Sequence, residues 1–266
     1  MTIANATAAD FVTPGEIHRL RTEREPRQLD DARVGRVPLD RAMLIANGIF
    51  GFEHLDVRAR SFVLLRSQLL NRFHRPGGRV LAVTSTQPGN GKTYVAANAA
   101  AALSRIHPTV LIDLDLRRPT LARRFGLTPG HGVDDYLAGD VSWESTGSRI
   151  ADTDLTIYGV REPRPDSAAL LASERLGLML DAIRALPGAP ICIVDTPPIL
   201  ALDDIMLIAE KVDGVLMIVE EGRTKSADIR DALRLLSPTP IVGSILNKSL
   251  TAKGRRDGYE HYYDAP

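Results

Sequence analysis

A glycine-rich turn that ends in a lysine and a hydroxyl side chain is the first feature of this sequence that could do chemistry. It reads TSTQPGNGKT over residues 84–93 and joins an apolar run to a segment with helical periodicity. Gly89 and Gly91 permit backbone conformations in which successive N–H groups surround phosphate oxygens. Lys92 is the residue type that contacts β- and γ-phosphates, and the Thr93 hydroxyl is a ligand for Mg²⁺. The turn predicts a phosphate-binding Walker A loop, although a threonine stands where the full pattern has its first glycine.

Three aspartates follow apolar runs elsewhere in the chain. Asp195 ends the run ICIVD, whereas Asp113 and Asp115 lie in LIDLDLRRP. Their alternate positions place Asp113 and Asp115 on the same side of a strand end, where they are expected to point into one cleft. Three acids in one buried site need a cation, so the sequence predicts Mg²⁺ there, with Asp195 in the Walker B position. Helix caps or turn residues remain the alternative for each aspartate taken singly.

The elements that must position these residues alternate in type after residue 79. Strands are predicted for six apolar runs, at residues 79–85, 109–115, 154–160, 189–195, 213–221 and 240–247. Several runs are apolar at every position, which is typical of parallel strands buried on both faces. Helices are predicted for GKTYVAANAAAALSRI, SAALLASERLGLMLDAIRAL, DDIMLIAEK and SADIRDALRLL. The predicted fold class is α/β, a three-layer P-loop domain with a mostly parallel central sheet, over residues 76–250.

The rest of the chain divides into two ends and a helical segment. Residues 1–40 are polar and highly charged and predict a flexible arm. Residues 41–75 contain the amphipathic run SFVLLRSQLLNRF and are expected to pack on the core as helix. Residues 251–266 form a tail that holds three of the six tyrosines, Tyr259, Tyr262 and Tyr263.

Composition excludes several classes of function. Among the 266 residues, Lys plus Arg and Asp plus Glu each number 33, so the zero net charge argues against a nucleic-acid partner. The single cysteine, Cys192, excludes an internal disulfide and fits a reducing compartment. Neither a run of about 18 apolar residues nor a secretory signal is found. We therefore expect a cytoplasmic location, peripheral to the inner membrane only through a partner chain.

Together, the Walker A loop, the IDLDLRRP turn and the IVDTPP turn resemble the bacterial tyrosine kinases, or BY-kinases. Members of that family are cytoplasmic partners of polysaccharide copolymerases in capsule and exopolysaccharide export. The resemblance runs from about residue 61 to the C-terminal end, and the related MinD/ParA ATPases carry other residues in the two acidic turns. It implies ATP-dependent autophosphorylation on tyrosine, with ATP and Mg²⁺ bound.

The resemblance also assigns roles to single residues. It implies that Asp113 accepts the proton of the attacking tyrosine hydroxyl, and that Thr93, Asp115 and Asp195 position the metal. The implied catalytic set is Lys92, Asp113, Asp115 and Asp195. The implied nucleotide contacts are Pro88, Gly89, Asn90, Gly91, Lys92, Thr93, Tyr94 and Asn247, of which the last matches the family's adenine contact. The tail tyrosines correspond to the family's phosphorylation sites.

The implied partners are a transmembrane polysaccharide copolymerase (chain-length-determinant protein), the tyrosine tail of a neighbouring subunit in a homo-oligomer, and a phosphotyrosine phosphatase. The family's ring-forming pattern E-x-x-R-x-x-R reads Arg60, Val63 and Arg66 here, which weakens the prediction of rings. Two alternatives stay open. One is a MinD/ParA-like ATPase that switches by nucleotide-driven dimerisation, although Gln87 replaces the signature lysine of that group. The other is a nucleotide-binding regulator of polysaccharide synthesis without kinase activity.

Overall fold

The computed structural model describes residues 34–53, 55–201 and 203–249. Its strands are β1 Gly35–Val37, β2 Val80–Ser85, β3 Thr109–Asp113, β4 Gly147–Ile150, β5 Leu155–Tyr158, β6 Ile191–Asp195, β7 Gly214–Glu220 and β8 Ile241–Asn247. Its α-helices are α1 Arg41–Ala46, α2 Arg60–Leu69, α3 Lys92–Leu103, α4 Leu121–Arg124, α5 Val133–Ala138, α6 Ser167–Ala172, α7 Glu174–Arg184, α8 Asp204–Ala209 and α9 Ser226–Leu236. Within these residues, no helix is long and apolar enough to cross a membrane.

The strands form one sheet in the order β1-β4-β5-β3-β6-β2-β7-β8. Every neighbouring pair is parallel except β4 with β5. All six predicted apolar runs are strands of this sheet, so the predicted fold class is confirmed. The central strands β2, β3 and β6 end at the same edge, where Asp113 and Asp195 are register partners.

Helices cover both faces of the sheet because successive side chains of each central strand point to opposite faces, and both faces are apolar. In β2, Val80 and Ala82 belong to one cluster and Leu81 and Val83 to the other. The first cluster includes side chains of α5 to α9, and the second includes side chains of α1 to α4. This arrangement gives the three layers, and period-two alternation between two apolar faces explains why the runs carry few polar residues.

Two strands at one side of the sheet, the edge strand β1 and its neighbour β4, were absent from the sequence prediction. β1 falls at residues 35–37, within the stretch predicted as a flexible arm, and this part of the prediction is wrong. The strand pairs in parallel with β4 through backbone hydrogen bonds, and both strands are short and partly polar, so neither shows an apolar run. Residues 1–33, the rest of the predicted arm, lie outside the described residues.

The helix predicted across SAALLASERLGLMLDAIRAL is divided into α6 and α7. Ser173 separates them with an extended backbone (φ −63°, ψ 153°), and its hydroxyl donates to the Leu170 carbonyl at 2.7 Å. A serine in this conformation ends one helix and begins the next because its side chain competes for backbone groups. The break changes the direction of the chain between two amphipathic segments that pack on the same face of the sheet.

Asn98 joins the segment before β2 to α3. This side chain is fully buried; its Oδ1 accepts from the N–H groups of Phe50 (2.6 Å) and Gly51 (3.0 Å), and its Nδ2 donates to the carbonyls of Gly48 and Tyr94 (both 2.9 Å). α3 begins with Lys92, so the chain from residue 48 to 51 is tied to the helix that starts at the phosphate loop.

Asn98→Ala is expected to lower the free energy of unfolding by about 2–4 kcal/mol, because buried N–H and carbonyl groups lose their partners together. The urea midpoint measures this loss. Asn71→Ala, at an exposed asparagine, is the matched control and should stay within about 0.5 kcal/mol of the parent. Equal midpoints for the two variants would contradict the tethering role.

Candidate active site

The phosphate loop has the backbone that the sequence predicts. Gly89 (φ 83°) and Gly91 (φ 95°) both lie in the left-handed region, and a Cβ at Gly91 would overlap the Asn247 side-chain amide. The threonine at the first-glycine position, Thr86, is buried, and its hydroxyl lies 3.4 Å from Asn90 Oδ1. The same oxygen accepts from the Gln87 N–H at 2.9 Å. The Asn90 side chain thus holds the start of the loop, where Thr86 replaces the first glycine of the full Walker A pattern.

The ends of β7 and β8 hold the middle of the loop. Asn90 Nδ2 donates to Glu220 Oε2 at 2.9 Å, and Asn247 Nδ2 donates to the Asn90 carbonyl at 2.9 Å. Lys248 Nζ donates to the Gly89 carbonyl at 2.8 Å and to Glu220 Oε1 at 3.1 Å. The side chain of Asn90 therefore serves the loop itself. Asn247 lines the cavity described below, and its adenine contact stays a prediction.

Lys92 lies between two of the predicted aspartates. Its Nζ is 2.8 Å from Asp115 Oδ2 and 3.8 Å from Asp195 Oδ1. Burial acts to lower the pKa of Lys92, but the Asp195 and Asp115 carboxylates outweigh it and the pKa is raised. The lysine is therefore a fixed cation at the foot of the loop.

Only one of the two aspartates at the end of β3 lines the cavity. Asp115 lines it, whereas Asp113 is fully buried and its carboxylate accepts from the N–H groups of Asp115 (3.1 Å), Thr120 (3.3 Å) and Leu121 (3.1 Å). The expectation that both point into one cleft is wrong, because the turn after β3 wraps around the Asp113 carboxylate. Burial, followed by repulsion from Asp195, raises the pKa of Asp113.

Asp195 is the carboxylate most in need of a cation. It is 1% exposed, and no donor among the described residues meets strict hydrogen-bond geometry at either of its oxygens. Burial raises its pKa, whereas the Lys92 ammonium and the nearby Thr93 hydroxyl act in the opposite direction. No cluster of three or more His, Cys, Asp or Glu side chains in the described ranges is arranged to hold a metal alone. Mg²⁺ typically takes one or two carboxylates together with substrate phosphates, so the residues present fit it.

A cavity of about 880 Å³ opens over Lys92, Thr93 and Asp115, and Asp195 lies behind this lining. Its walls are the phosphate loop, the turn after β3, the turn after β6 and the end of β8, and its lining residues are Pro88, Gly89, Gly91, Lys92, Thr93, Tyr94, Asp115, Arg117, Arg118, Thr120, Arg124, Pro198, Ala201, Asn247 and Lys248. The volume is within the range of small-molecule and cofactor pockets. The predicted phosphorylation sites Tyr259, Tyr262 and Tyr263 lie outside the described residues.

Sequence reasoning did not single out Asp204, a buried carboxylate beside this cavity. It is fully buried at the start of α8, and its Oδ2 accepts from Ser167 Oγ at 2.6 Å and Arg117 Nε at 3.3 Å. The available signal was the acidic pair in ILALDDIM, which is equally typical of a helix start.

An ion-pair network around Asp135 is linked to the turn after β3 through the backbone of Arg164. Asp135 accepts from Arg161 Nε and Nη2 (both 2.7 Å), from Arg164 Nη2 (3.1 Å) and from the Gly132 N–H (2.8 Å). Arg164 also donates its backbone N–H to the Leu116 carbonyl at 2.8 Å. The hydrogen bonds from Arg161, aided by the Gly132 N–H, lower the pKa of Asp135 to about 2.

The lowered pKa of Asp135 gives stability that is present above about pH 4 and is lost as the pH falls through 2. Asp135→Asn is therefore expected to cost about 2 kcal/mol at pH 6, and the gap to the parent should narrow by about half at pH 3. Urea unfolding of both proteins at the two pH values measures the gap. A gap that does not change with pH would contradict the assignment.

No family model matches the chain. The chain is 34% identical over 177 residues (64% of its length) to the succinoglycan biosynthesis transport protein ExoP of Rhizobium meliloti, of which that match covers 22%. It is 30% identical over 180 residues (66% of its length) to the tyrosine-protein kinase YwqD of Bacillus subtilis, of which 75% is covered. The chain spans about a quarter of the length of the first curated relatives it matches.

A crystal structure of the VpsO kinase domain superposes with a TM-score of 0.66 at 29% identity, covering 73% of this chain and 97% of that domain. The chain therefore belongs to the family of bacterial tyrosine-protein kinases.

Proposed function

We propose that this protein is an ATP-dependent protein tyrosine autokinase that regulates exopolysaccharide or capsule polymerisation and export. The observation that carries the proposal is the placement of Lys92 between Asp115 and Asp195, at the foot of a phosphate loop and a nucleotide-sized cavity. In the proposed reaction, the tyrosine hydroxyl oxygen attacks the γ-phosphorus of ATP. The bond from that phosphorus to the bridging oxygen of ADP breaks, and the hydroxyl proton passes to a carboxylate.

To catalyse phosphoryl transfer, a protein mainly has to position the two reactants and neutralise the phosphate charge. The N–H groups of residues 89–93 would surround the phosphates, and Lys92 would hold the β- and γ-phosphates. Mg²⁺ bound with the nucleotide would neutralise phosphate charge, and Thr93, Asp115 and Asp195 are the residues that would hold it. The resemblance assigns this proton to Asp113, and we keep that assignment as part of the proposal. Burial raises the pKa of Asp113, but its carboxylate accepts backbone N–H groups and does not line the cavity, so a tyrosine hydroxyl would reach it only if the turn after β3 opened.

The proposed acceptors are Tyr259, Tyr262 and Tyr263, from the same or a neighbouring subunit. The proposed membrane partner is a transmembrane polysaccharide copolymerase that holds the chain at the cytoplasmic side, and a phosphotyrosine phosphatase would reverse the modification. Support for the polysaccharide role comes from the relative named for succinoglycan biosynthesis transport. Three phosphates would add roughly −5 charge to the tail, which is enough to change its contacts with other subunits.

Incubation of the full chain with MgATP, followed by phosphosite mass spectrometry, tests the proposal. We expect phosphate on the tail tyrosines and its loss in the triple variant Tyr259→Phe, Tyr262→Phe, Tyr263→Phe. Since the triple variant keeps the whole cavity, it should still bind MgATP in calorimetry. If neither the chain alone nor the chain with its cognate copolymerase gains phosphotyrosine, the proposal is wrong.

The MinD/ParA alternative predicts ATP-dependent dimers and hydrolysis without phosphotyrosine. Its signature lysine must cross to the nucleotide of the other subunit, but here Gln87 Nε2 donates to Asp228 Oδ2 of the same chain at 3.0 Å. A glutamine carries no charge for a phosphate, and this one is already bonded within its own subunit. The same mass-spectrometry experiment separates the two functions.

A further inference from the structure

Arg117 is held at the cavity by the buried carboxylate of Asp204. Asp204 is fully buried, and it accepts from Arg117 Nε at 3.3 Å while Ser167 Oγ donates to the same oxygen at 2.6 Å. The arginine side chain itself is 35% exposed and lines the cavity. Because only its Nε is bonded to Asp204, its terminal nitrogens remain available to a ligand, and the buried carboxylate limits the positions that the guanidinium can take.

Most other cations of the cavity are already bonded within the protein. Lys92 is paired with Asp115 and Asp195, Lys248 bonds to Gly89 and Glu220, and Arg124 Nη1 donates to the Asn47 carbonyl at 3.2 Å. Arg118 is exposed, and its side chain has no ion-pair partner in the described ranges. Among the described residues that line the cavity, Arg118, the terminal nitrogens of Arg117 and part of the Arg124 guanidinium are therefore not used by a bond that the structure shows. Arg117 and Arg118 lie together on the turn after β3, whereas Arg124 ends α4 and points its Nη1 at the Asn47 carbonyl.

We propose that Arg117 and Arg118 bind acidic residues beside the acceptor tyrosine, and that Asp204 is the positioning residue for Arg117. This inference rests on the proposed kinase function and names its substrate class, an acidic tyrosine-containing segment. The tail itself has that chemistry, since Glu260 follows Tyr259 and Asp264 follows Tyr263. Arginine pairs with carboxylates through two parallel hydrogen bonds, so the pair would orient the segment as well as attract it.

The test compares rates of tail phosphorylation in full chains at saturating MgATP, measured by phosphosite mass spectrometry. The double tail variant Glu260→Gln, Asp264→Asn and the site variants Arg117→Gln and Arg118→Gln should each be slowed about tenfold, as expected for a lost charge-assisted hydrogen bond. Arg123→Gln is the matched control, an exposed arginine that does not line the cavity, and it should keep the parental rate. The KM for ATP should stay unchanged in all of them.

Two comparisons separate recognition from a general structural effect. Arg118→Glu combined with Glu260→Lys and Asp264→Lys should recover much of the rate that either change alone removes. Asp204→Asn should slow tail phosphorylation about as much as Arg117→Gln, and the double variant should be no slower, because the two residues act as one unit. Urea midpoints identify any variant whose loss comes from unfolding.

If the double tail variant Glu260→Gln, Asp264→Asn is phosphorylated at the parental rate, the inference is overturned while the kinase proposal stays intact. A raised KM for ATP in Arg117→Gln with an unchanged response to tail charge would also overturn it, because Arg117 would then serve the nucleotide. A wild-type chain that gains no phosphotyrosine would instead contradict the proposed function itself. These outcomes keep the two failures distinguishable.

Discussion

Lys92→Met is expected to lower the rate of tail phosphorylation by about 10²–10³, the cost of removing one preorganised group that stabilises developing charge. The same change should destabilise the nucleotide-free protein. Asp115 and Asp195 lie 2.8 Å and 3.8 Å from the lysine nitrogen, and both lose that cation. A buried carboxylate left without its partner costs about 3 kcal/mol or more. Phosphosite mass spectrometry and urea unfolding without nucleotide measure the two effects.

Lys92→Arg is the control that separates charge from shape. Arginine keeps a cation beside both aspartates, so most of the stability should return. Its larger planar guanidinium cannot take the position of the compact ammonium group against the β- and γ-phosphates, so activity should not return. We therefore expect a stable but nearly inactive protein. Full stability of Lys92→Met without nucleotide would contradict the ion-pair assignment, and continued tail phosphorylation in that variant would contradict its role with phosphate.

The central sheet could be predicted from the sequence because strands buried on both faces must be apolar at nearly every position. β2, β3 and β6 show that pattern, and their ends place the phosphate loop and the acidic turns at one edge. The edge pair β1 and β4 could not be predicted, because its pairing depends on backbone hydrogen bonds that any residue can make. Composition alone assigned residues 35–37 to the arm.

Within the site, residue types were predictable but their partners were not. The sequence places Asp113 and Asp115 two positions apart, yet it does not show that the turn closes around one of them. Likewise, Asn247 lies more than 150 residues from the Asn90 carbonyl that its amide contacts, a separation that no local pattern encodes. Asp204 was missed for the same reason, because its partners lie far away in the sequence, Arg117 on the turn after β3 and Ser167 at the start of α6.

Asp195→Asn is expected to act on stability in the direction opposite to Lys92→Met. The Asp195 carboxylate is buried, no donor in the described structure meets strict hydrogen-bond geometry with it, and burial raises its pKa despite Lys92 and the nearby Thr93 hydroxyl. Removing its charge should raise the free energy of unfolding of the nucleotide-free protein by about 1–3 kcal/mol. Lys92 is not left alone by this change, because Asp115 remains 2.8 Å away. Urea unfolding without nucleotide measures the gain.

The same variant should lose at least about 100-fold in tail phosphorylation, because a carboxylate that would hold Mg²⁺ is gone. Saturating MgATP should raise the urea midpoint of the parent and raise that of Asp195→Asn much less.

Asp213→Asn is the matched control. Burial opposes the charge of Asp213, but the N–H groups of Val80 and Arg79 (both 2.8 Å) and the Arg184 side chain outweigh it and lower its pKa. Neutralising Asp213 should therefore destabilise the protein and leave the response to MgATP unchanged. If both aspartate variants shift stability in the same direction, Asp195 is a structural carboxylate and not one that holds a cation for the nucleotide.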